Sequence, residues 1–445
     1  MIITADWMMP VSGAPMRYGA VVVRDRTIFD VGGRLEMQER YPDEEVSEHR
    51  GCAVVPGLVN AHTHLALSAL EGLLPPEPFP DWLDRITPVI RALDQDDCAA
   101  SAAAGALACL KAGITVVGDI AYGPESLSAA GDMGLGGVYF WEVLGVEVNE
   151  LPHVLSAHEF PDDPAECRTS RLLCGISPHA PYTSGPELLR ASARFARAAR
   201  VPLMIHLAES ADEVRLLANG EGRLAPTARR LAKGFAPPRT GAIRYADSLG
   251  LLEDAIAVHC VQLLPGEAAL LARHARGVVL CPRSNAHLKN GEPPVADLRT
   301  HGVRMAIGTD SLASNSSIDL LSEARALRRI DRGLGAGMLL EMLTIGGARV
   351  LGVDDRFGTL ERGKQADLAV FCIGETRHPM ERLIEVGSVQ TLKATMAAGR
   401  WRIADGSPVA PTGAMDRAFE RVTAKAAWAL ERAGVRADEA SSGKG

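Results

Sequence analysis

Over the central part of the chain, short apolar runs alternate with longer Ala- and Leu-rich stretches. The short runs are typical of buried strands, and residues 97–111 (DCAASAAAGALACLK) have the composition of a helix. Strand and helix in turn predict βα units around a parallel sheet. Eight runs fit this pattern, at residues 58–63, 115–119, 137–143, 172–177, 203–207, 256–260, 277–281 and 305–309. They predict an α/β protein whose residues 57–355 form a catalytic (β/α)8 TIM barrel.

The two ends of the chain have a different sequence pattern from the central part. Residues 1–56 and 356–410 both carry short strand-like runs separated by Gly and Asp turns. We expect the two segments to fold together as one small composite β-sandwich domain, and two separate small β domains are the alternative. Residues 411–445 are predicted to form a C-terminal helix over 413–434 and a frayed tail.

Composition and charge narrow the class of partner. The net charge of −8 and an aromatic content of 4% argue against nucleic acid or an anionic membrane surface as partner. The eight Cys form no CxxC pair, and Cys174, Cys260 and Cys281 lie in apolar runs as small buried hydrophobes. Without an apparent signal peptide or membrane span, we expect a cytoplasmic protein that acts on a small molecule. A homodimer is compatible with the sequence.

The motif NAHTHL places two histidines at the end of the first predicted strand. Residues i and i+2 of a strand point to the same face, so the imidazoles of His62 and His64 aim at one point. At the carboxyl end of a barrel strand, that point is the active-site mouth. Taken alone, the motif also fits two histidines in a polar loop.

Further strand ends carry side chains of the same kind. His179 follows the fourth strand, His206 and Glu209 end the fifth, His259 ends the sixth, and Asp310 follows the eighth. A single buried histidine is commonly a core residue, but several at equivalent ends of βα units favour one convergent site. A binding protein built on a degenerate barrel would be expected to have lost at least one of these groups.

Six motifs, in this order, resemble the amidohydrolase superfamily: PGLVNAHTHL, SPHAPYT, HLAES, VHCVQL, CPRSNAHL and GTDSLAS. More narrowly, they resemble its mononuclear branch, which holds cytosine, guanine and adenosyl-nucleoside deaminases and triazine chlorohydrolases. The resemblance covers nearly the whole chain, including the β-sandwich split between the termini. It implies a hydrolase of non-peptide C–N bonds that deaminates a cyclic amidine.

The resemblance also implies a ligand set. One divalent ion, with Zn²⁺ preferred and Fe²⁺ as the alternative, would be bound by His62, His64, His206 and Asp310. Binuclear relatives hold a carbamylated bridging lysine on strand 4, where this chain has His179. One metal is therefore implied, and His179 would contact substrate instead.

Three residues are expected to carry the acid–base chemistry. Asp310 would accept a proton from the attacking water, and His259 would hydrogen-bond it. Glu209 would protonate the ring nitrogen beside the attacked carbon and then the leaving ammonia. The alternative for Glu209 is a charge stabilised at a helix N-terminus.

The segment LALSALEGLLPPEPFPDWLDRITPVI, after the first strand, is expected to lie over the pocket. It resembles the MEWL stretch of nucleoside deaminases, whose acidic residue receives ribose hydroxyls, and Asp81 stands at that place. Trp82 would either stack on a substrate ring or anchor the segment in the core. In CPRSNAHLKN, Cys281, Asn285 and His287 favour core packing and loop capping, with a substrate-positioning role for Asn285 as the alternative.

HLALSALEG, FPDWL and YFWEVLG resemble aminofutalosine deaminases more than thio-nucleoside deaminases. This implies an adenine-like nucleoside, 6-amino-6-deoxyfutalosine, as substrate, with Arg85 and Arg283 as candidates for an acidic substituent. The presence of both Glu209 and Asp310 favours deamination over chlorohydrolysis. Guanine, cytosine or triazine deamination, and imidazolonepropionase-like or N-acyl hydrolysis, stay open because one fold supports them all.

Overall fold

The computed structural model describes residues 1–121, 123–145, 151–152, 155, 171–231 and 235–442, with the side chains of the last helix described to residue 434. The strands are β1 Ile2–Met8, β2 Met16–Arg17, β3 Gly19–Arg24, β4 Thr27–Gly33, β5 Val46–Pro56, β6 Leu58–Thr63, β7 Ile114–Ala121, β8 Gly136–Val143, β9 Leu172–Pro178, β10 Met204–Leu207, β11 Ile256–His259, β12 Gly277–Leu280, β13 Met305–Ile307, β14 Leu368–Cys372, β15 Leu392–Ala397, β16 Arg400–Ala404 and β17 Ser407–Pro408.

Helices cover or flank these strands. They are Arg34–Arg40, Phe79–Ile90, Gln95–Lys111, Pro124–Asp132, Pro186–Ala199, Ala211–Asn219, Ala225–Leu231, Ala242–Ser248, Glu267–His274, Pro282–His287, Val295–Thr300, Leu320–Ile330, Ala336–Met342, Ile345–Leu351, Pro379–Val386 and Gly413–Ser442, with a 3-10 helix at Leu65–Leu70. Among the described residues, none of these helices is both long and apolar enough to cross a bilayer.

The eight strands β6 to β13 form a parallel barrel. β6 to β9 pair in chain order, and β10 to β13 do the same. Single parallel bridges, Ile176 to Leu203 and Thr63 to Asp310, join the two four-stranded halves into a ring. The predicted barrel is therefore confirmed, and each predicted strand is present with its ends moved by no more than a few residues.

The barrel is filled by alternate strand residues, among them Val59, Val138, Phe140 and Val258, which belong to one buried apolar cluster. Phe357 belongs to the same cluster. Because helices or the interior cover both faces of each strand, short strands such as β10 are buried along their whole length. This explains why the strands are visible in the sequence as unbroken apolar runs.

The two ends of the chain share one sheet, with the strand order β17-β16-β15-β14-β5-β1-β3-β4 and β2 paired to β1. β5 pairs antiparallel with β14, Pro56 opposite Leu368 and Cys52 opposite Cys372. The two terminal segments therefore do not form two separate sheets. A buried ion pair lies just before β14. The Arg171 guanidinium, just before β9, donates to both carboxylate oxygens of Asp367 at 3.0 and 2.8 Å.

The C-terminal helix Gly413–Ser442 begins where it was predicted and continues eight residues past the predicted end. Ala426 and Ala429 are buried in an apolar cluster that also contains Phe79 and Trp82. Lys425 bonds Asp94 and Asp97, the residues that form the capping box of helix Gln95–Lys111. The helix therefore packs against the segment that was expected to cover the pocket.

One cysteine differs from expectation. Cys174 in β9 is buried, as expected, but it is also disulfide-bonded, which the sequence did not predict. A disulfide depends on two Cβ atoms lying about 3.5–4.5 Å apart in the folded chain, which spacing along the sequence does not reveal. Cys260 and Cys281 are free and buried, as expected.

Candidate active site

The carboxyl ends of the barrel strands bring together the predicted His and Asp side chains. His62 and His64 come from the end of β6, His206 from β10, His259 from the end of β11, and Asp310 from the residues after β13. All five are buried, with 0 to 7% of each residue exposed. They converge from strands that are far apart in sequence but adjacent around the ring.

The distances in this cluster are short. The His62 ring centroid lies 5.0 Å from those of His64 and His206, and 5.9 Å from that of His259. Asp310 Oδ1 lies 3.5 Å from His62 Nε2 and 3.4 Å from His64 Nε2. In each of two overlapping groups, His62 with His206 and His259, and His62 with His64 and Asp310, the candidate ligand atoms all lie within 4.8 Å of one another.

Two of the imidazoles are oriented through their outer nitrogens. His206 Nδ1 donates to the backbone carbonyl of His179 at 2.9 Å, and His259 Nδ1 donates to Asn285 Oδ1 at 3.0 Å. A donated Nδ1–H fixes the tautomer in which Nε2 carries the lone pair. Both rings therefore have a ligand or acceptor nitrogen available.

The surroundings of His62 test whether a metal ion fits this cluster. Its Nδ1 lies 3.2 Å from Met204 Sδ, while its Nε2 is buried and has no hydrogen-bond partner among the described residues. A buried polar atom without a partner is costly unless an ion or other group satisfies it. Imidazole nitrogens and a carboxylate are the donors that Zn²⁺ takes. The residues present fit a divalent metal ion.

The protonation states are those that ligation requires. Burial, reinforced by the neighbouring His62, lowers the pKa of His64 to about 3. Burial also lowers the pKa values of His179 and His259 to about 4, and that of His206 well below its usual range. These imidazoles are therefore neutral near pH 7, and only a neutral imidazole can bind a metal.

Asp310 is held as an anion. Burial favours its neutral form, but the pairing with His62 and the nearby His64 and His259 hold the pKa of Asp310 well below its usual range. Its Oδ2 accepts hydrogen bonds from Ser284 Oγ at 2.6 Å and Ser314 Oγ at 3.1 Å. An ionised carboxylate fixed in this way can serve both as a ligand and as a proton acceptor.

Left-handed backbone also occurs at these strand ends. Ala208, His259 and Asp310 have φ angles of 52°, 70° and 60°, in the left-handed region that side-chain-bearing residues avoid. Such conformations cost on the order of 1–3 kcal/mol each and cluster at functional sites. The strain redirects each chain at the point where its side chain enters the mouth.

The pKa of Glu209 is shifted in the opposite direction to that of Asp310. Burial first, and then the negative charges of Asp310 and Glu213, raise the pKa of Glu209 well above its usual range. Its Oε1 accepts from Asn290 Nδ2 at 3.1 Å and lies 3.9 Å from His259 Nε2. A raised pKa favours the protonated form of a carboxyl group, and that form can donate a proton.

Glu213, and not Glu209, has the position of an acidic residue at a helix N-terminus. Helix Ala211–Asn219 is capped by Ser210, whose side chain accepts from Glu213 N. The Glu213 carboxylate accepts from the backbone N–H groups of Ala208 and Glu209 at 3.1 and 2.7 Å. Glu213 thus satisfies the amides at this turn, and the Glu209 side chain is directed toward Asn290 and His259.

Sequence reasoning missed several supporting residues. Ser284 and Ser314 bond Asp310, Asn290 bonds Glu209, and Asn285, for which core packing or loop capping was favoured, bonds His259. Ser284, Asn285 and Asn290 all come from CPRSNAHLKN, directly after β12. That motif's position at a barrel strand end was the available signal.

A further acidic residue lies at the barrel mouth. Glu142 is on the same face of β8 as Val138 and Phe140, which fill the barrel interior. Burial raises its pKa to about 7, and its Oε1 has no hydrogen-bond partner among the described residues. The negative charge of Glu142 also contributes to raising the pKa of Tyr182, which follows β9. Glu142 was not singled out in the sequence because it lies inside an aromatic run.

The three residues predicted to contact substrate differ in their burial and in their hydrogen-bond partners. His179 is half-buried, and its Nδ1 lies 2.8 Å from Thr183 Oγ1. Trp82 is 8% exposed, and its Nε1 donates to the Ala313 carbonyl at 3.0 Å, close in sequence to Asp310. Asp81, on the same helix, has a side chain that is 41% exposed and is paired with Arg223.

The two candidate cations for an acidic substituent already have partners. Arg85 lies 3.0 Å from Glu77, with 45% of its side chain exposed. Arg283 donates to Ser316 and Ser317 and lies 3.6 Å from Glu323. Either side chain would have to exchange these contacts in order to bind an anion.

A parallel barrel with imidazoles and carboxylates gathered at its carboxyl ends has the architecture of an enzyme that works at that mouth. The profile of the amidohydrolase family matches residues 53–402, and the chain belongs to this family. The resemblance drawn from the six motifs is thereby confirmed.

Curated relatives cover most of the chain. It is 31% identical over 385 residues to a 5-methylthioadenosine/S-adenosylhomocysteine deaminase of Desulforudis audaxviator, covering 84% of this chain and 85% of the relative. It is 33% identical over 375 residues to an aminodeoxyfutalosine deaminase of Deinococcus radiodurans, covering 82% and 88%. Among solved structures, an adenosine deaminase from Xanthomonas campestris with bound zinc matches with a TM-score of 0.79 and 26% identity, over 96% of this chain and 98% of that one.

Proposed function

We propose that the protein is a mononuclear metal-dependent aminohydrolase that removes the exocyclic amine of an adenine-like nucleoside. The observation that carries this proposal is the contrast between two buried carboxyl groups beside one histidine cluster. Asp310 Oδ1 lies 3.4 Å from His64 Nε2, and Glu209 Oε1 lies 3.9 Å from His259 Nε2. The pKa of Asp310 is held well below its usual range, whereas that of Glu209 is raised well above it. Hydrolytic deamination needs this pair, since one group must accept a proton while the other delivers one.

His62, His64, His206 and Asp310 would hold the metal ion, with Zn²⁺ as the first choice and Fe²⁺ as the alternative. The neutral imidazoles and the unsatisfied His62 Nε2 support this assignment. A divalent ion held there would lower the pKa of water and so supply a hydroxide nucleophile near neutral pH. A single ion is proposed because His179 stands where binuclear relatives hold a lysine.

Three side chains would then divide the proton transfers. Asp310 accepts a proton from water at its carboxylate. His259, oriented by Asn285, keeps its Nε2 lone pair available and would accept a hydrogen bond from the attacking water. Glu209 delivers its proton to the ring nitrogen next to that carbon and afterwards assists the departure of ammonia.

Substrate recognition is proposed to involve His179, Asp81 and Trp82. His179 would contact the purine from strand β9, Asp81 would receive ribose hydroxyls after exchanging its exposed partner Arg223, and Trp82 would hold the covering helix in place through the Ala313 carbonyl. Within the nucleosides, we propose 6-amino-6-deoxyfutalosine as first choice. The similarity to an aminodeoxyfutalosine deaminase supports this choice.

We also propose a division into domains. Residues 57–355 would be the catalytic barrel, residues 1–56 and 356–410 a composite β-sandwich, and residues 411–445 an appended helix and tail. The sheet shared by β5 and β14 supports treating the two terminal segments as one unit.

The experiment is an ammonia-release assay with the zinc-loaded protein. Adenosine, 5′-methylthioadenosine, S-adenosylhomocysteine and 6-amino-6-deoxyfutalosine are compared with guanine, cytosine and a chlorotriazine. We expect ammonia from the 6-aminopurine nucleosides, with the highest kcat/KM for 6-amino-6-deoxyfutalosine. Release from the bases or the triazine, and none from any 6-aminopurine nucleoside, would contradict the nucleoside proposal.

A further inference from the structure

Two cysteines face each other across the sheet that joins the ends of the chain. Cys52 in β5 is directly opposite Cys372 at the end of β14. Their Sγ atoms lie 3.1 Å apart although the residues are 320 positions apart in sequence, and both are free thiols. This pair is distinct from the residues assigned to deamination.

The backbone geometry around the pair suits a covalent bond. The Cys372 N–H donates to the carbonyl of Thr391, just before β15, while the next residue, Ile373, donates to the Gly51 carbonyl on the β5 side. Hydrogen bonds alternate sides along a strand, so Cys52 and Cys372 are a non-hydrogen-bonded pair across β5 and β14. Such antiparallel pairs have Cα atoms about 4.5 Å apart, within the range of about 4.4–6.8 Å found in disulfides.

The two thiols differ in access to solvent. Cys372 is exposed, whereas Cys52 is fully buried in the apolar cluster on that face of the sheet. Burial, and then the contact with the Cys372 sulfur, raise the pKa of Cys52 to about 12. Cys52 therefore stays a protonated thiol near neutral pH, and Cys372 is the thiol that a dissolved oxidant reaches.

We propose that Cys52 and Cys372 are a reversible oxidation site, at which exchange with a small-molecule disulfide forms a cross-strand disulfide between the two ends of the chain. The Cys372 thiolate attacks the small disulfide, forming a mixed disulfide and releasing one thiolate. The Cys52 thiol then attacks the Cys372 sulfur, its proton passes to the departing sulfur, and the second half of the small disulfide leaves as a thiol. The two cysteines are oxidised by two electrons, and the small disulfide is reduced to two thiols.

This bond would close a loop that contains the whole barrel. A cross-link between distant residues stabilises a protein mainly by restricting its unfolded chain, and the effect grows with loop length. The oxidised protein should therefore unfold at a higher temperature than the reduced protein. Because neither cysteine touches the histidine cluster in the described contacts, the deaminase activity of the folded protein should be the same in both forms.

The test is to incubate the full-length, metal-loaded protein with oxidised glutathione under native conditions and to follow its intact mass and peptide map. Wild type should lose the mass of two hydrogens, without a lasting glutathione adduct, and should yield a Cys52–Cys372 cross-linked peptide. Cys52→Ala should instead keep glutathione on Cys372, because the resolving thiol is missing. Cys372→Ser should take up no glutathione at Cys52. Dithiothreitol should reverse the changes.

Either of two results would overturn the proposal. One is a lasting glutathione adduct on Cys372 of wild type, equal to that of Cys52→Ala, which would mean that Cys52 cannot resolve it. The other is wild type left unmodified under conditions that load Cys52→Ala. Because Cys52→Ala could reduce stability, Cys372→Ser serves as the second variant. Its melting temperature should match reduced wild type and should not rise with oxidised glutathione.

Discussion

The barrel mouth and the terminal sheet differ in how their buried polar groups are satisfied. At the mouth, several ionisable side chains are buried together, among them His259 and Asp310 with left-handed backbone, and the buried His62 Nε2 has no hydrogen-bond partner among the described residues. In the terminal region, the strands form one continuous hydrogen-bonded sheet, and beside it the buried Arg171 guanidinium is matched by both carboxylate oxygens of Asp367. The mouth sacrifices local stability for chemistry, whereas the sheet holds the chain together. Substitutions in the two regions should therefore fail in different ways.

The largest effect is expected from removing the metal. His206→Ala should abolish bound metal and leave no measurable deaminase activity, because it deletes one of the proposed ligands. The protein should also melt at a lower temperature, since an ion that binds only the folded form at 1,000 times its Kd adds about 4 kcal/mol to stability. Metal analysis and thermal unfolding check this. Two tightly bound ions per chain in washed wild-type protein would refute the mononuclear site.

Glu209→Gln should lower kcat by about 10²–10⁴ while metal content and melting temperature stay near wild type. The reason is that burial raises the pKa of Glu209 and so favours its neutral form, which glutamine matches in shape and charge, and the amide therefore removes mainly the transferable proton. Steady-state kinetics with zinc analysis provide the measurement. Glu187→Gln, an exposed change on helix Pro186–Ala199, is the control. Near-normal turnover by Glu209→Gln would leave Glu209 without a catalytic role.

Asp367→Asn in the terminal region should behave in the opposite way. Removing one partner of a buried pair leaves the Arg171 charge uncompensated, which costs about 3–5 kcal/mol of unfolding free energy. The kcat of the remaining folded protein should hardly change. Denaturant unfolding together with active-site titration separates the two quantities. Asp405→Asn, whose side chain is 87% exposed and 3.9 Å from Lys393, is the matched control. A fall in kcat without a loss of stability would erase the contrast between the two regions.

Asn285→Ala should lower kcat by about 10–100-fold, the usual cost of removing a partner that orients an active-site imidazole. Asn285 is a positioning residue, acting through His259. Asn285→Asp keeps the acceptor oxygen and should recover most of the activity, whereas a purely packing role would not discriminate between the two variants. Equal losses in both would assign Asn285 to packing.

The smallest effect is expected at Asp81. Asp81→Ala should weaken binding of the nucleoside by at least about tenfold, since a hydrogen bond to a charged group is worth about 1.5–3 kcal/mol. Free adenine, which has no ribose hydroxyls, should bind unchanged. Inhibition constants for the two compounds give the comparison, and Arg223→Ala, which removes only the exposed partner of Asp81, is the control. Equal weakening for both compounds would assign Asp81 to shaping the covering helix.

The sequence predicted the barrel and the convergence at its mouth for a simple reason. Both depend on local periodicity: an apolar run defines a strand, and polar residues in its last positions or just beyond it lie at the strand's carboxyl end. His62, His64, His206, His259 and Asp310 are all found by this rule.

The supporting contacts could not be predicted in the same way. Whether Asn285 faces His259 depends on where helix Pro282–His287 begins and on side-chain torsions that no periodicity encodes. Ser284 and Ser314 meet at Asp310 only after two different loops fold over the mouth. The Cys174 disulfide was missed for a related reason, because pairing between cysteines is decided by three-dimensional distance.

The pairing of β5 with β14 has a consequence for synthesis on the ribosome. Cys52 emerges 320 residues before its cross-strand neighbour Cys372. At roughly 5–20 residues per second, that interval lasts on the order of tens of seconds. During it, the N-terminal strands present an unpaired edge, the kind of surface that pairs with other chains. The nascent chain therefore cannot complete the sheet that it begins first until the whole barrel has been translated.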